Sequence, residues 1–388
     1  MNPVTVEVVY RGIYQKSLAQ RIGRGIVLAA RKEGKVGVSF GRYGDSPERN
    51  GIPAKQFAIV ADDELELQIT MARYEPTIVD ITIAVDDTLC KGVESWAWYG
   101  TQPINKLLHA DGLLLVTSIH SPDTLLQWVH RQPYEYDIAI VKGPASLSGL
   151  WVYKDDHTDV RVLGTLSRVA PQLFGMNALE QAILQEWNDN LKVVSAKKAF
   201  DRAVTRRVRS EEGNPAPVQD YEKPKYWEMQ EGIVVKAIPV GKGFRGEDEG
   251  GFQPERNPYF KKYSTRTMRP VVDFDTCVKC TLCWLQCPDS CFDVTPEHLY
   301  DANMEACCGC GVCEAVCPVE KCVTMVNETA FIDNTSQYEM WKQDPQAYKG
   351  WVQEKISQEK PVEHRSHGFR YRGQYQEEIA AMQKEEEA

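Results

Sequence analysis

One cysteine pattern occurs twice in this chain, and nothing else in the sequence constrains its fold as strongly. Cys277, Cys280, Cys283 and Cys287 precede Pro288, and Cys307, Cys310, Cys313 and Cys317 precede Pro318. Both runs read C-x2-C-x2-C-x3-C-P, the spacing that wraps thiolates around a [4Fe–4S] cube. When two such runs share one domain, the fourth cysteine of each ligates the other cube. The expected ligands are therefore Cys277, Cys280, Cys283 and Cys317 for cluster 1, and Cys307, Cys310, Cys313 and Cys287 for cluster 2. Paired C-x2-C units also build four-thiolate zinc sites. Such sites offer two cysteines per knuckle across a longer loop, whereas here four donors crowd into each short run. Two cubes imply electron transfer.

Apolar runs at Val271-Val272-Asp273-Phe274 and Val323-Thr324-Met325-Val326 bracket the cysteines as short strands of a pseudo-symmetric module. Cys291, Cys308 and Cys322 fall outside the pattern. Three thiols cannot complete a third cube, and free cysteine packs as a small hydrophobe, so buried thiols against the clusters are expected. Cys90, far from the others, is expected in a core.

With 388 residues, 43% of them hydrophobic, the chain can form two domains or one large domain with additions. Its net charge of −10 argues against nucleic acid and against an anionic membrane surface. The start, Met1-Asn2-Pro3-Val4, lacks the basic and apolar regions of a signal peptide. No run approaches the roughly 20 apolar residues that span a bilayer. Eleven of the twelve cysteines cluster in one module, which suits a reducing compartment, and a cytoplasmic location is expected.

Residues 1–195 alternate strand-like and helix-like segments, as an α/β sheet domain does. Strands are expected at residues 4–9, 57–60, 78–85, 113–117 and 138–141. Leu18, Ile22 and Ile26 mark one helix. Ser121-Pro122 reads as an N-cap followed by proline at the first helical position. Asn177 with Glu180 reads as a second helix start, leading into Leu179, Ile183 and Trp187. Asp86-Asp87, His109, His120 and His130 are scattered, and no catalytic residue is assigned to this chain.

Residues 196–265 carry a basic stretch and then recurrent proline and glycine, which reads as an extended linker. Gly241-Lys242-Gly243 lacks the rest of a phosphate-loop motif. The ferredoxin-like module occupies residues 266–330. Residues 331–388 form a charged tail holding Trp341, Tyr348, Trp351, Phe369, Tyr371 and Tyr375. So many large aromatics argue for a tail that wraps a partner surface, with an acidic solvated end.

Two groups of residues carry a family resemblance. Met268-Arg269-Pro270-Val271-Val272-Asp273, leading into Cys277-Val278-Lys279-Cys280, resembles the δ (ferredoxin) subunit of the 2-oxoacid:ferredoxin oxidoreductases, in the pyruvate:ferredoxin oxidoreductase superfamily. Ser39-Phe40-Gly41, Pro47-Glu48-Arg49-Asn50-Gly51 and Pro53-Ala54-Lys55 resemble the SFGPERRGAPVKAF segment of its γ subunit, and residues 170–183 resemble the γ C-terminal helix entry. The resemblance implies a γ-type α/β domain fused to a two-cluster ferredoxin-like α+β domain. It further implies an electron-transfer subunit that is not itself catalytic, within a complex that oxidises a pyruvate-like or oxalate-like 2-oxoacid. Thiamine diphosphate and Mg2+ are expected on partner subunits, because this chain shows no G-D-G…N-N apparatus. Thiamine-binding and α-type partners, a dimer of heteromers and a ferredoxin or similar acceptor complete the expectation. The alternatives are a polyferredoxin-type subunit of an unrelated anaerobic complex, or a scaffold whose clusters only stabilise it.

The chain departs from the family at one turn. Where γ subunits have a glycine-rich G-x-G-G-Q-G turn, this sequence reads Tyr10-Arg11-Gly12-Ile13-Tyr14-Gln15-Lys16-Ser17. A single glycine and three bulky neighbours crowd the approach of a phosphate to a helix N-terminus. This counts against coenzyme A binding, and Arg11 and Lys16 are expected in a solvated basic turn.

Overall fold

The computed structural model describes residues 3–42, 53–72, 75–94, 101–143, 156–216 and 266–358. The N-terminal unit runs β1 (Val4–Arg11), α1 (Gly12–Lys32), β2 (Val36–Gly41), β3 (Pro53–Ala61), α2 (Glu64–Met71), β4 (Val79–Ala84), β5 (Val93–Glu94), β6 (Thr101–Gln102), β7 (Leu108–Ser118), α3 (Pro122–Leu125), β8 (Tyr136–Lys142), α4 (Thr158–Val169), α5 (Met176–Trp187), α6 (Asn190–Arg202) and β9 (Thr205–Val208). Seven strands form one sheet in the order β2-β3-β1-β4-β7-β8-β9. Strands β1, β4, β7 and β8 run parallel at its centre. β3 pairs antiparallel with β1 and β2, and β9 antiparallel with β8.

Alternation along the central strands divides the apolar residues between two faces. Leu113 and Leu115 of β7 join Val6, Val8, Ile81 and Ile83 beneath α1, α4, α5 and α6. Leu114 and Val116 face the opposite side, with Cys90, Leu125, Val129 and Tyr136. Cys90 is a core thiol, which burial holds well above its ordinary pKa with help from Asp87 and Asp86. Between the helices, Lys192 of α6 bonds both carboxylate oxygens of Asp159 at 3.0 and 3.1 Å, with both side chains buried. Gly164 allows this close helix packing, since a Cβ there would lie 2.2 Å from the Ala196 carbonyl oxygen.

The five expected strands are present as β1, β3, β4, β7 and β8. Ser121 caps α3 through the Thr124 N–H. Three details differ from the sequence reading. Helix α5 begins at Met176 with Gly175 at its N-cap, so Asn177 and Glu180 lie inside it. The sheet unit runs past residue 195, because α6 spans that position and β9 adds the edge strand. β1 also passes directly into α1 with no intervening loop.

The second unit contains β10 (Met268–Val272), α7 (Leu282–Leu285), β11 (Phe292–Val294), β12 (Tyr300–Ala302), α8 (Val312–Val316), β13 (Val323–Asn327), α9 (Gln337–Gln343) and α10 (Pro345–Gln358). β10 pairs antiparallel with β13, and β11 with β12. This is a ferredoxin-like arrangement of two halves, each with a cysteine run and a short helix between strands. Residues 331–358 of the tail pack onto this unit rather than standing free for a partner. Tyr348 donates to the Val272 carbonyl at 2.7 Å, Gln337 bonds Pro270 O and the Val272 N–H, and Phe274 stacks on Tyr348. Phe369, Tyr371 and Tyr375, like the linker from residue 217 to 265 with its Gly241-Lys242-Gly243, lie outside the described residues.

The two units meet at the carboxyl ends of the parallel strands. A 3₁₀ turn, Asp87–Lys91, follows β4, and another, Glu328–Ala330, follows β13. Lys91 Nζ reaches Glu328 O at 2.9 Å and Phe331 O at 2.9 Å, and His120 Nε2 lies 3.1 Å from Thr329 Oγ1.

Candidate metal centre

The cysteine runs sit on loops whose backbone repeats as the sequence does. In the first, Lys279 and Thr281 have φ of 56° and 66°; in the second, Gly309 and Gly311 occupy the same places with φ of 71° and 79°. These left-handed residues curl each loop so that successive sulfurs turn inward. Glycine adopts the conformation freely, whereas lysine and threonine do so at a cost of order 1–2 kcal/mol each. The second loop also needs glycine for space, since a Cβ on Gly309 would lie 2.3 Å from Met268 O.

Two cavities open beneath these loops. One is lined by Cys277, Cys280 and Cys283 of the first run together with Cys317 of the second. The other is lined by Cys307, Cys310 and Cys313 of the second run together with Cys287 of the first. Phe292 lines both, so it lies between them. Cys307 and Cys313 are buried, and the other six are half-buried. Among the described residues, no three His, Cys, Asp or Glu side chains group as ligands of a single ion. In a cube each thiolate binds its own iron.

Backbone N–H groups point at the sulfurs. Gly309 N lies 3.4 Å from Cys307 Sγ, and Cys291 N lies 3.3 Å from Cys287 Sγ. Such bonds stabilise thiolate, the form that binds iron. Cys287 is drawn down to about 6 by contacts with Cys291, and Cys277 to about 6 by Cys322 and the Lys279 N–H. Burial pushes Cys283 up to about 12 and raises Cys313 well above its ordinary value. The extra thiols Cys291 and Cys322 are buried, and Cys308 is half-buried. Each lines one of the two cavities.

A charge cluster lies between the cavities and the sheet unit. Arg266 is fully buried, donating to the Met304 carbonyl and to Cys307 O at 3.2 Å. Arg266 and Arg269 both grip Glu328, with Nε–Oε2 distances of 2.7 and 2.9 Å. Burial works against the Glu328 charge, yet Arg269, Arg266 and Lys91 hold its carboxyl well below the usual range. No spacing rule reveals this cluster, whose members are distant in sequence. Arg11 differs from expectation too: it is 1% exposed, not solvated, and its Nε donates to Thr88 Oγ1 at 3.0 Å. Gln15 and Asp86 complete that buried network beneath the carboxyl end of β1.

Comparison with known proteins places this geometry in context. A family of 4Fe-4S dicluster domains matches residues 270–325. The chain is 53% identical over 55 residues to the delta subunit of the NADH-dependent phenylglyoxylate dehydrogenase of Aromatoleum evansii, a match covering 14% of this chain and 56% of that protein. It is 34% identical over 97 residues to the pyruvate synthase subunit PorD of Thermotoga maritima, covering 25% of this chain and 90% of the relative. The chain belongs to the 2-oxoacid:ferredoxin oxidoreductase family. Its membership rests on the δ-type, iron–sulfur half. The pyruvate oxidoreductase subunit PORC of Thermotoga maritima aligns with 53% of this chain and 99% of its own, at 17% identity and a TM-score of 0.37. Among the described residues, no helix of this family member is long and apolar enough to cross a membrane.

Proposed function

We propose that this chain is the electron-transfer subunit of a thiamine-diphosphate-dependent 2-oxoacid:ferredoxin oxidoreductase, a γ-type α/β unit and a δ-type ferredoxin unit in one polypeptide. One observation carries the reading: each cavity is lined by three cysteines of one run and the fourth of the other. That donor set fits two [4Fe–4S] cubes, with Cys277, Cys280, Cys283 and Cys317 holding cluster 1 and Cys307, Cys310, Cys313 and Cys287 holding cluster 2. Bound there, the cubes accept and release single electrons at low potential.

The chain's own groups supply the environment. The loop N–H groups hold the sulfurs as thiolates, and Phe292 excludes water from the space between the cavities. The seat formed by Lys91, His120 and the Glu328–Ala330 turn holds the ferredoxin unit against the α/β unit. Decarboxylation itself belongs to partner subunits carrying thiamine diphosphate and Mg2+, with a ferredoxin or similar protein taking the electrons onward. The direct passage of β1 into α1, and an Arg11 engaged by Thr88, leave no glycine-rich cradle there. This supports a member of the family that does not hold coenzyme A at this turn.

Anoxic purification of the chain with its native partners tests the proposal. It predicts co-eluting subunits with bound thiamine diphosphate, roughly eight irons per copy of this chain, and clusters that bleach when a 2-oxoacid is added without coenzyme A. Partners lacking thiamine diphosphate would sink the oxidoreductase reading. An absolute need for coenzyme A would overturn the part concerning β1 and α1.

A further inference from the structure

The two-cube reading leaves Cys291, Cys308 and Cys322 without a role, yet all three line the two cavities. Cys291 stands nearest a proposed ligand: its Sγ lies 3.4 Å from Cys287 Sγ.

We propose that Cys291 is an S–H donor to the Cys287 sulfur that tunes cluster 2. A reduced cube carries one more negative charge than an oxidised one. A donor to a ligand sulfur therefore stabilises the reduced state and raises that cluster's potential. A thiol packed only to fill space would not do this. The position is suited to donation: Cys291 is buried at 2% exposure, shielded from competing water. Cys291 is further fixed by its own N–H, which bonds the same Cys287 sulfur at 3.3 Å.

This inference rests on the two-cube reading, and the test separates the two. Iron and sulfide are first counted on the anoxically purified complex; a chain holding fewer than two cubes removes the foundation. Potential-poised EPR titrations then compare wild type with Cys291→Ala and Cys291→Ser. Cys291→Ala lowers the wave assigned to cluster 2, the one lost in Cys307→Ser, and leaves the other in place. Cubes of equal potential in wild type split into two waves. Cys291→Ser keeps a donor and shifts the wave less than Cys291→Ala; it carries the test if Cys291→Ala fails to load iron. Unchanged potentials in fully loaded variants, or a shift of the wave that Cys307→Ser spares, overturn the proposal.

Discussion

Lys91 Nζ lies 3.1 Å from Glu328 Oε1, a contact between residues 237 positions apart that joins the sheet unit to the ferredoxin-like unit. Glu328 is the hub of this junction. It also accepts from Arg266 and Arg269, and the carbonyls of Glu328 and Phe331 accept from the same lysine. Burial lowers the pKa of Lys91, and Glu328 opposes that loss of charge.

Removing the hub's charge leaves three cations without it. Glu328→Gln is expected to cost about 3–5 kcal/mol, the range for breaking one side of a buried ion pair. Thermal unfolding followed under anoxic conditions measures the loss. Lys91→Met, which strands a carboxylate still held by two arginines, is expected to cost less.

The same glutamate gives an acid dependence. Its folded pKa is depressed, so its contribution is complete above the ordinary glutamate value of about 4.3 and drains away as pH falls from there toward the folded pKa. Denaturation of the cluster-free chain should steepen over that interval. Glu328→Gln should remove this component while leaving the rest of the pH profile in place.

Asp159 and Lys192 form a buried counterpart within the sheet unit, with Arg21 3.6 Å from the same carboxylate. Either Asp159→Asn or Lys192→Met is expected to destabilise by about 3–5 kcal/mol. The double variant is expected to recover much of that loss, because no buried charge then remains unpaired and the Arg21 that also faces Asp159 is partly exposed. A double-mutant cycle in urea tests this; additive losses would mean the pair contributes nothing as a pair.

If fourth ligands are exchanged between runs, serine variants should fall into pairs that sequence proximity does not suggest. Cys317→Ser should spare the same cluster wave as Cys277→Ser, and Cys287→Ser the same wave as Cys307→Ser. Each should leave roughly one of the two cubes intact. A Cys317→Ser variant that instead matched Cys313→Ser in EPR would assign the ligands within single runs.

The two loops predict opposite responses to substitution. Lys279→Gly relieves a left-handed non-glycine residue and should stabilise the loaded module by about 1 kcal/mol. Gly309→Ala places a Cβ 2.3 Å from Met268 O, so it should destabilise by at least about 1–3 kcal/mol and reduce iron content. Thermal denaturation and iron analysis of the two variants report both effects.

The legible parts of this fold are the local ones. The repeated loop backbone is written as cysteine spacing within each run, and the central strands β1, β3, β4, β7 and β8 carry apolar runs that burial demands. The edges were harder to read. β2, Val-Gly-Val-Ser-Phe-Gly, carries glycine and serine, and β9, Thr-Arg-Arg-Val, looks like a basic linker because only one of its faces meets the core. Asn177 and Glu180 resemble a capping box, but packing of Ala178, Leu179, Ala182 and Ile183 sets the helix start two residues earlier than that cap implies. Arg11 looks solvated only while Thr88 and Asp86 are out of sight, and Trp341, Tyr348 and Trp351 of the tail find their surface within the chain. Each of these depends on a partner far away in sequence.

The seat between Lys91 and the Glu328–Ala330 turn has a consequence for assembly. Because both sides belong to one polypeptide, translation fixes their ratio at one to one. The ferredoxin unit also docks at an effective concentration set by the chain rather than by its abundance in the cell. A few hydrogen bonds then suffice where two separate proteins would need a far larger interface. Mutations there should slow electron delivery without dissociating anything.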